Sequence, residues 1–401
     1  MYSASRVVVT GMGCVTAAGN NLRATLNAID EGRRNASPSP FPDITPASPV
    51  FQCGEKLAAP EFAEPGVPLS RTARLAFVAA YEALVQSGYS VIASTPCRLG
   101  VCLGTSVGAS LHFSEYYKAW YRNEPCSLSS IHTYRRSNPS LALARLYKAT
   151  GPVQTVVNAC SSGADAIGLA ASWLRQGLCD IVIAGGADAL SDVTCTGFSR
   201  LMITSPEPCR PFDAERAGLN IGEGAGVMIL EREADAKNRG ARVLGRFLGY
   251  GTATDSFHLT APHPDAKGLA AAYAQVFAAG DVALGDIAFI NAHGTATRAN
   301  DQTEGAFFTR YFPRVPFVAT KGATGHTLGA AGAVEAVLTL AHLARGYLPA
   351  SPGFLTPDPE TGARPVSSPL PVNGVAAASQ SLAFGGNNSV LVFGKGEGVC
   401  A

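Results

Sequence analysis

Thr155-Val156-Val157-Asn158-Ala159-Cys160-Ser161-Ser162-Gly163 passes from an apolar, β-branched run into a small-residue turn, and Ala-rich sequence follows to about Trp173. The pattern predicts a buried strand, a sharp turn and a helix. A second stretch has the same layout. Phe317-Val318-Ala319-Thr320-Lys321 leads into a Gly-rich segment, Gly322 to Gly332, and then Ala-rich sequence to about Leu343. One copy lies in each half of the chain, which points to an internal duplication of α/β units packed as one body.

Working outward, Arg6 to Thr10 reads as a buried strand closed by a turn at Gly11-Met12-Gly13. The Pro-rich stretch from Ser37 to Pro68 reads as an irregular surface excursion. Arg71 to Ser87 has helical spacing, with Leu75, Ala79, Ala80 and Leu84 on one face. Leu99 to Leu103, Ile181 to Ala184 and Gly226 to Leu230 read as buried strands. Phe289-Ile290-Asn291 ends a strand before a turn at His293-Gly294. Ala376 to Ala383 and Ser389 to Phe393 read as strands joined by a hairpin-like turn, Phe384-Gly385-Gly386-Asn387-Asn388.

Apolar residues make up 47% of the 401, enough for a large core. With 31 basic and 30 acidic residues, the net charge of +1 argues against bulk nucleic-acid binding, which needs a basic face. The 10 Cys include no C-x-x-C pair, so no metal site is expected; they read as small buried hydrophobes in a reducing compartment. The N-terminus lacks a signal-peptide layout, and no apolar run is long enough to span a bilayer. A cytoplasmic location is expected.

Cys160 stands where a strand meets a helix. There the helix dipole lowers a thiol pKa, and free backbone N–H groups can hold an oxyanion. A structural Cys is the commoner fate of this residue type, but the strand–Cys–Gly–helix setting favours a nucleophile. His293, beside Gly294, Thr295 and Thr297, either points into a cleft or sits in a surface turn. Lys321 and His326 share one Gly-rich turn. A Lys buried there needs a carboxylate partner, and Glu335 in the following helix qualifies. Neither a P-loop nor a dinucleotide-binding glycine turn is present. Arg210-Pro211-Phe212-Asp213 and the glycines from Gly218 to Gly226 read as structural, for close backbone packing.

Together these clusters resemble the elongating (type I and II) β-ketoacyl-[acyl carrier protein] synthases over nearly the whole chain. The most specific parts are Asn158 to Gly163, Asn291-Ala292-His293-Gly294-Thr295, and Lys321 with Gly325-His326 and Gly329-Ala330-Ala331-Gly332. The resemblance implies a thiolase fold, two pseudo-duplicated α/β halves (1–237 and 238–401) in α-β-α-β-α layers. It implies decarboxylative Claisen condensation, in fatty-acid or similar biosynthesis, of an acyl group on Cys160 with a malonyl unit borne by acyl carrier protein. His293 and His326 would stabilise the enolate, and Lys321 with Glu335 would hold the site's electrostatics. The amides of Cys160 and Phe384 would form the oxyanion hole, and Phe384 would also gate the pocket. Thr295 and Thr297 would contact the pantetheine arm. No cofactor is implied beyond the substrate's phosphopantetheine. Arg71, Arg74, Arg135 and Arg136 are candidates for docking the acidic carrier. A homodimer through about Val153 to Val157 is implied, and a heterodimer is the alternative.

The chain departs from the pattern at Ala383 (usually Gly), Asn387 (usually Thr) and Arg298 (usually small or Pro). The stretches Ser191 to Arg210 and Ser37 to Pro68 look shortened. These departures fit a rival reading, a specialised polyketide or aryl-polyene ketosynthase working with a second subunit. A silent chain-length-factor-like partner would lack the nucleophile, and a thiolase would carry a second catalytic Cys.

Overall fold

Strand β1 (Val7–Thr16) is buried at every position. It leads into α1 (Leu22–Asp30), whose first turn is capped by Asn21. Gly11 and Gly13 lie inside this strand, so the expected turn there is corrected. A Cβ on Gly13 would sit 2.0 Å from the Ala79 carbonyl oxygen, and one on Gly11 would sit 2.0 Å from that of Ala83. The backbone of α2 (Arg71–Ser87) rests directly on β1, and only glycine leaves room for it. The structure is a computed structural model that describes residues 6–55, 57, 69–89, 97–108 and 114–396.

Among the described residues ten strands form one sheet, in the order β3-β2-β4-β5-β1-β6-β12-β11-β7-β8. The first half comprises β1, β2 (Leu99–Gly104), β3 (Val153–Val156), β4 (Ile181–Asp188) and β5 (Gly224–Arg232). The second comprises β6 (Gly245–Thr254), β7 (Ile287–Asn291), β8 (Phe317–Val318), β11 (Ala376–Ala383) and β12 (Asn387–Lys395). Short strands β9 (Tyr347–Leu348) and β10 (Leu370–Pro371) pair separately. The order is a palindrome in direction as well as position. β3-β2-β4 and β8-β7-β11 are parallel, whereas β4-β5-β1 and β11-β12-β6 are antiparallel. The halves join where Val7, Val8 and Val9 of β1 pair with β6.

Helices α3 (Ser114–Tyr121), α4 (Ser129–Arg136) and α5 (Pro139–Leu146) precede β3. Then come α6 (Ser162–Arg175), α7 (Asp192–Arg200), α8 (Glu233–Asn238), α9 (Lys267–Ala278), α10 (Arg298–Tyr311), α11 (Lys321–Thr324) and α12 (Ala331–Arg345). Helices α6 and α12 pack on each other and on strands of both halves, so they form the middle layer. Helices α2 and α5 cover one outer face and α9 the other, giving the expected α-β-α-β-α stack. Each interlayer space has its own apolar core. Both faces of the sheet are covered, which explains the continuous apolar runs.

The middle layer accounts for the Ala/Gly composition. A Cβ on Gly163 would lie 2.8 Å from Ala333 Cβ, and one on Gly332 would lie 2.9 Å from Ala164 Cβ. Among the described residues, one helical stretch is long and apolar enough to cross a membrane, Leu328–Arg345, and it is buried inside the fold. The Pro-rich excursion also needs correction. Val50, Phe51 and Cys53 return to the interior, where the Phe51 N–H donates to the Ile221 carbonyl at 2.9 Å. Residues 56 and 58–68 of that stretch lie outside the described residues.

Candidate active site

Two strand–turn–helix units deliver their turns to one place. In the first, Ala159 takes φ +49° between β3 and α6, a left-handed conformation costly for a non-glycine residue, and Cys160 follows, buried. In the second, β8 leads to Lys321 and the turn at His326, and α12 then places Glu335. Strand β7 ends at Asn291, two residues before His293, and β11 ends next to Phe384.

The sulfur of Cys160 and one ring nitrogen each of His293 and His326 lie within 4.8 Å of one another. The two imidazoles stand nearly perpendicular, at 86°, with centroids 5.3 Å apart. Lys321 Nζ sits 3.1 Å from His293 Nδ1; it also donates to the His293 carbonyl and to Glu335 Oε1. The Leu328 N–H donates to His326 Nδ1 at 3.1 Å. An ammonium and an amide can only donate, so both Nδ1 atoms are acceptors and both Nε2 atoms carry the proton. Each neutral imidazole therefore offers an N–H donor, suited to a developing oxyanion. A Cys/His/His set also has the chemical elements of a zinc site. Here the Nδ1 lone pairs are taken and Nε2 is protonated, so the set does not fit a cation without rearrangement beside the Lys321 ammonium.

Burial pushes both histidines well below the ordinary imidazole range, and the Lys321 charge adds to the effect. They stay neutral at physiological pH. Burial also raises Glu335 to about 7 despite its ion pair with Lys321. The expected depression of the Cys160 thiol is not found. Burial lifts it to about 11, outweighing the Phe384 N–H bonded to the sulfur and the Lys321 charge. Cys160 rests as a thiol.

Residues 4–236 match the family described as "Beta-ketoacyl synthase, N-terminal domain", and residues 244–354 match "Beta-ketoacyl synthase, C-terminal domain". The chain belongs to the β-ketoacyl synthase family. It is 30% identical to 3-oxoacyl-[acyl-carrier-protein] synthase 2 of Staphylococcus aureus (strain COL), covering 99% of this chain and 100% of that protein. Among solved structures it resembles the ishigamide ketosynthase/chain length factor, with TM-score 0.88, 29% identity and coverage of 98% and 100%. It also resembles the ketosynthase ApeO in complex with its chain length factor ApeC from Xenorhabdus doucetiae, with TM-score 0.83, 29% identity and coverage of 98% and 99%. This is a condensing enzyme with a Cys-His-His centre.

The cleft of this ketosynthase holds about 380 Å³, with Cys160, His293 and His326 in its wall. Thr295 and Thr297 line it with their hydroxyl oxygens 2.8 Å apart, and Arg298 is exposed beside them. Phe384 stacks on Phe198 of α7 at 5.4 Å, and Phe198 meets His326 edge-on. Sequence reading missed Phe198 because nothing local marks it. Glu304 was missed too. Buried on α10, it accepts the N–H groups of His293 and Gly294, each at 2.7 Å, and so sets the turn that aims the histidine. Asp188, raised to about 6 by burial, similarly binds the N–H groups of Ser106 and Gly329 at 2.7 Å. The Arg210 to Asp213 cluster is structural as read. Phe212 takes φ +62°, and its N–H donates to Asp301 Oδ2 at 2.6 Å.

Of the four docking candidates, Arg74, Arg135 and Arg136 are exposed. Arg71 is not a free charge. Its guanidinium forks onto the fully buried Glu223 and donates to the Cys53 carbonyl, anchoring the inward return of the Pro-rich segment.

Proposed function

We propose that this ketosynthase extends an acyl chain held on Cys160 by a malonyl-derived unit supplied on acyl carrier protein, in a specialised pathway and with a ketosynthase-like partner subunit. The observation that carries the choice is the likeness, at 29% identity over nearly full length, to two ketosynthases solved with a chain length factor. Ala383 and Arg298, which line the cleft, and Asn387, three residues beyond Phe384, are the departures from the elongating-synthase pattern noted in the sequence, and they point the same way. Homodimeric fatty-acid elongation is the second reading, favoured by the full-length match to the Staphylococcus aureus synthase.

In this mechanism the Cys160 sulfur attacks the thioester carbonyl, and its proton leaves on the phosphopantetheine sulfur. The amides of Cys160 and Phe384 hold the tetrahedral oxyanion. Phe384 lies over the nucleophile, where it separates the acyl pocket from the entrance, and Thr295 with Thr297 hold the pantetheine amides. The malonyl C–CO₂ bond then breaks, and its electron pair becomes an enolate held by the Nε2–H groups of His293 and His326. The enolate carbon attacks the acyl carbonyl, a C–C bond forms, and Cys160 departs as thiolate and takes a proton from solvent. Neutral imidazoles suit the step because an imidazolium would quench the carbanion by protonation. Burial keeps them neutral, and the charge of Lys321 adds to the effect.

The test is mass spectrometry of the protein incubated with acyl carriers, saturated and polyunsaturated, followed by malonyl carrier. Acyl mass on the Cys160 peptide and then a β-ketoacyl product is the expected outcome. Efficient extension of saturated chains by the chain alone would favour the homodimeric reading. Absence of acylation from a folded protein, with every chain tried, would overturn both.

A further inference from the structure

The two amides assigned to the oxyanion hole come from opposite halves of the chain. No covalent geometry sets their separation. Besides the Phe384 N–H on the Cys160 sulfur, a side-chain hydrogen bond next to the two amides spans the gap: Asn387 Nδ2 donates to Asn158 Oδ1 at 2.7 Å. Asn158 lies two residues before Cys160, and Asn387 three residues after Phe384. Behind them sits Asp165, buried in the first turn of α6. Its Oδ2 accepts from Asn158 Nδ2 at 2.6 Å and from Ser161 Oγ at 2.8 Å. Its Oδ1 accepts from Tyr250 OH at 2.8 Å and from Ser389 Oγ. Tyr250 reaches it because α6 carries Gly168, where a Cβ would lie 2.4 Å from the tyrosine ring.

The polarity of this chain of contacts is forced. A carboxylate accepts only, so Asn158 turns its NH₂ to Asp165 and its oxygen to Asn387, which must then present a donor. The elbow also carries the strained Ala159, a conformation that persists only when its surroundings hold it.

We infer that Asn387 is a positioning residue for acyl transfer: with Asn158, oriented by Asp165, it holds the Cys160 and Phe384 amides in register across the junction of the two halves. This rests on the proposed acyl transfer at Cys160.

Two reactions of the same sulfur separate positioning from general damage. Alkylation by iodoacetamide needs the thiolate but no oxyanion hole, whereas acylation by an acyl-carrier thioester needs both. In Asn387→Ala, acylation should fall about tenfold or more while alkylation stays within about twofold of wild type. Asn387→Asp, of the same shape but without the donor, should behave alike, and it carries the test if the alanine variant melts early. Asn387→Thr, whose hydroxyl can donate, should recover part of the loss. Acylation and alkylation falling together, or neither changing, would overturn the inference. A wild-type protein that alkylates but accepts no acyl group would instead overturn the proposed function.

Discussion

At the residue scale the decisive feature is a buried ammonium among groups that must stay uncharged. Lys321 lowers the pKa of His293 and His326, and it partly offsets the burial that lifts the Cys160 thiol to about 11. Well below pH 11 the thiolate is the minor form, so its fraction rises about tenfold per pH unit, less steeply near pH 7 where Glu335 gains its charge, and neutral imidazoles add no inflection near pH 6.5. Alkylation of Cys160 by iodoacetamide should therefore climb steadily from about pH 6 to pH 10, without the plateau above pH 8.5 that an ordinary Cys shows. A plateau near pH 7 would mean that the thiol is depressed after all. Lys321→Met removes the charge and leaves Glu335 without its partner. Alkylation at pH 8 should slow about tenfold, and chemical unfolding should show a loss of about 3 kcal/mol, the usual cost of breaking a buried pair. Cys160, His293, Lys321, His326 and Glu335 were all legible as residues because each sits in an unusual local string. The thiol's pKa was not, because burial depends on what the rest of the chain places overhead.

Elements were legible where the signal is local. Helix α2 runs from Arg71 to Ser87 as its apolar spacing predicts, and the hairpin of β11 and β12 turns at Phe384 to Gly386. Gly11 and Gly13 were misread because the reason for them is distant. Glycine after an apolar run signals a turn locally, yet here it makes room for the backbone of α2, an element far along the chain. Glu304 and Asp165 were missed for the same reason. Each is an ordinary acidic residue on a helix until the fold sets the helix start against a catalytic turn. The glycine account is testable. Gly13→Ala should force α2 off β1 and lower stability by about 3 kcal/mol in urea unfolding, an overpacking cost. Gly197→Ala, inside helix α7 and with no atom within 4 Å of its Cβ, should instead raise stability by about 0.5–1 kcal/mol. Equal effects at the two positions would refute the close-approach argument.

Across the whole molecule, the palindromic sheet explains why the site lies between the halves. Cys160 comes from the first half, and the imidazoles, Lys321, Glu335 and Phe384 come from the second, brought together by the α6–α12 layer. The internal duplication was readable from two matching strings, whereas the identity of any partner was not, because an interface leaves no periodic mark in one chain. What the fold does show is an uneven pair of sheet edges. Strand β8 is two residues long, whereas β3 presents four residues that, among the described residues, pair with β2 alone, with Val153 41% exposed and Val157, just beyond the strand, 66% exposed. An open edge with apolar side chains invites another strand, whether from a second copy or from a ketosynthase-like subunit. Because β3 leads straight into the Cys160 elbow, pairing there would also steady the strained Ala159. A charge at the edge should block pairing without entering the core. The wild type should sediment as two chains and Val153→Arg as one, with the melting temperature of the isolated chain little changed. A two-chain particle that survives the substitution would place the interface away from β3 and leave this edge to solvent.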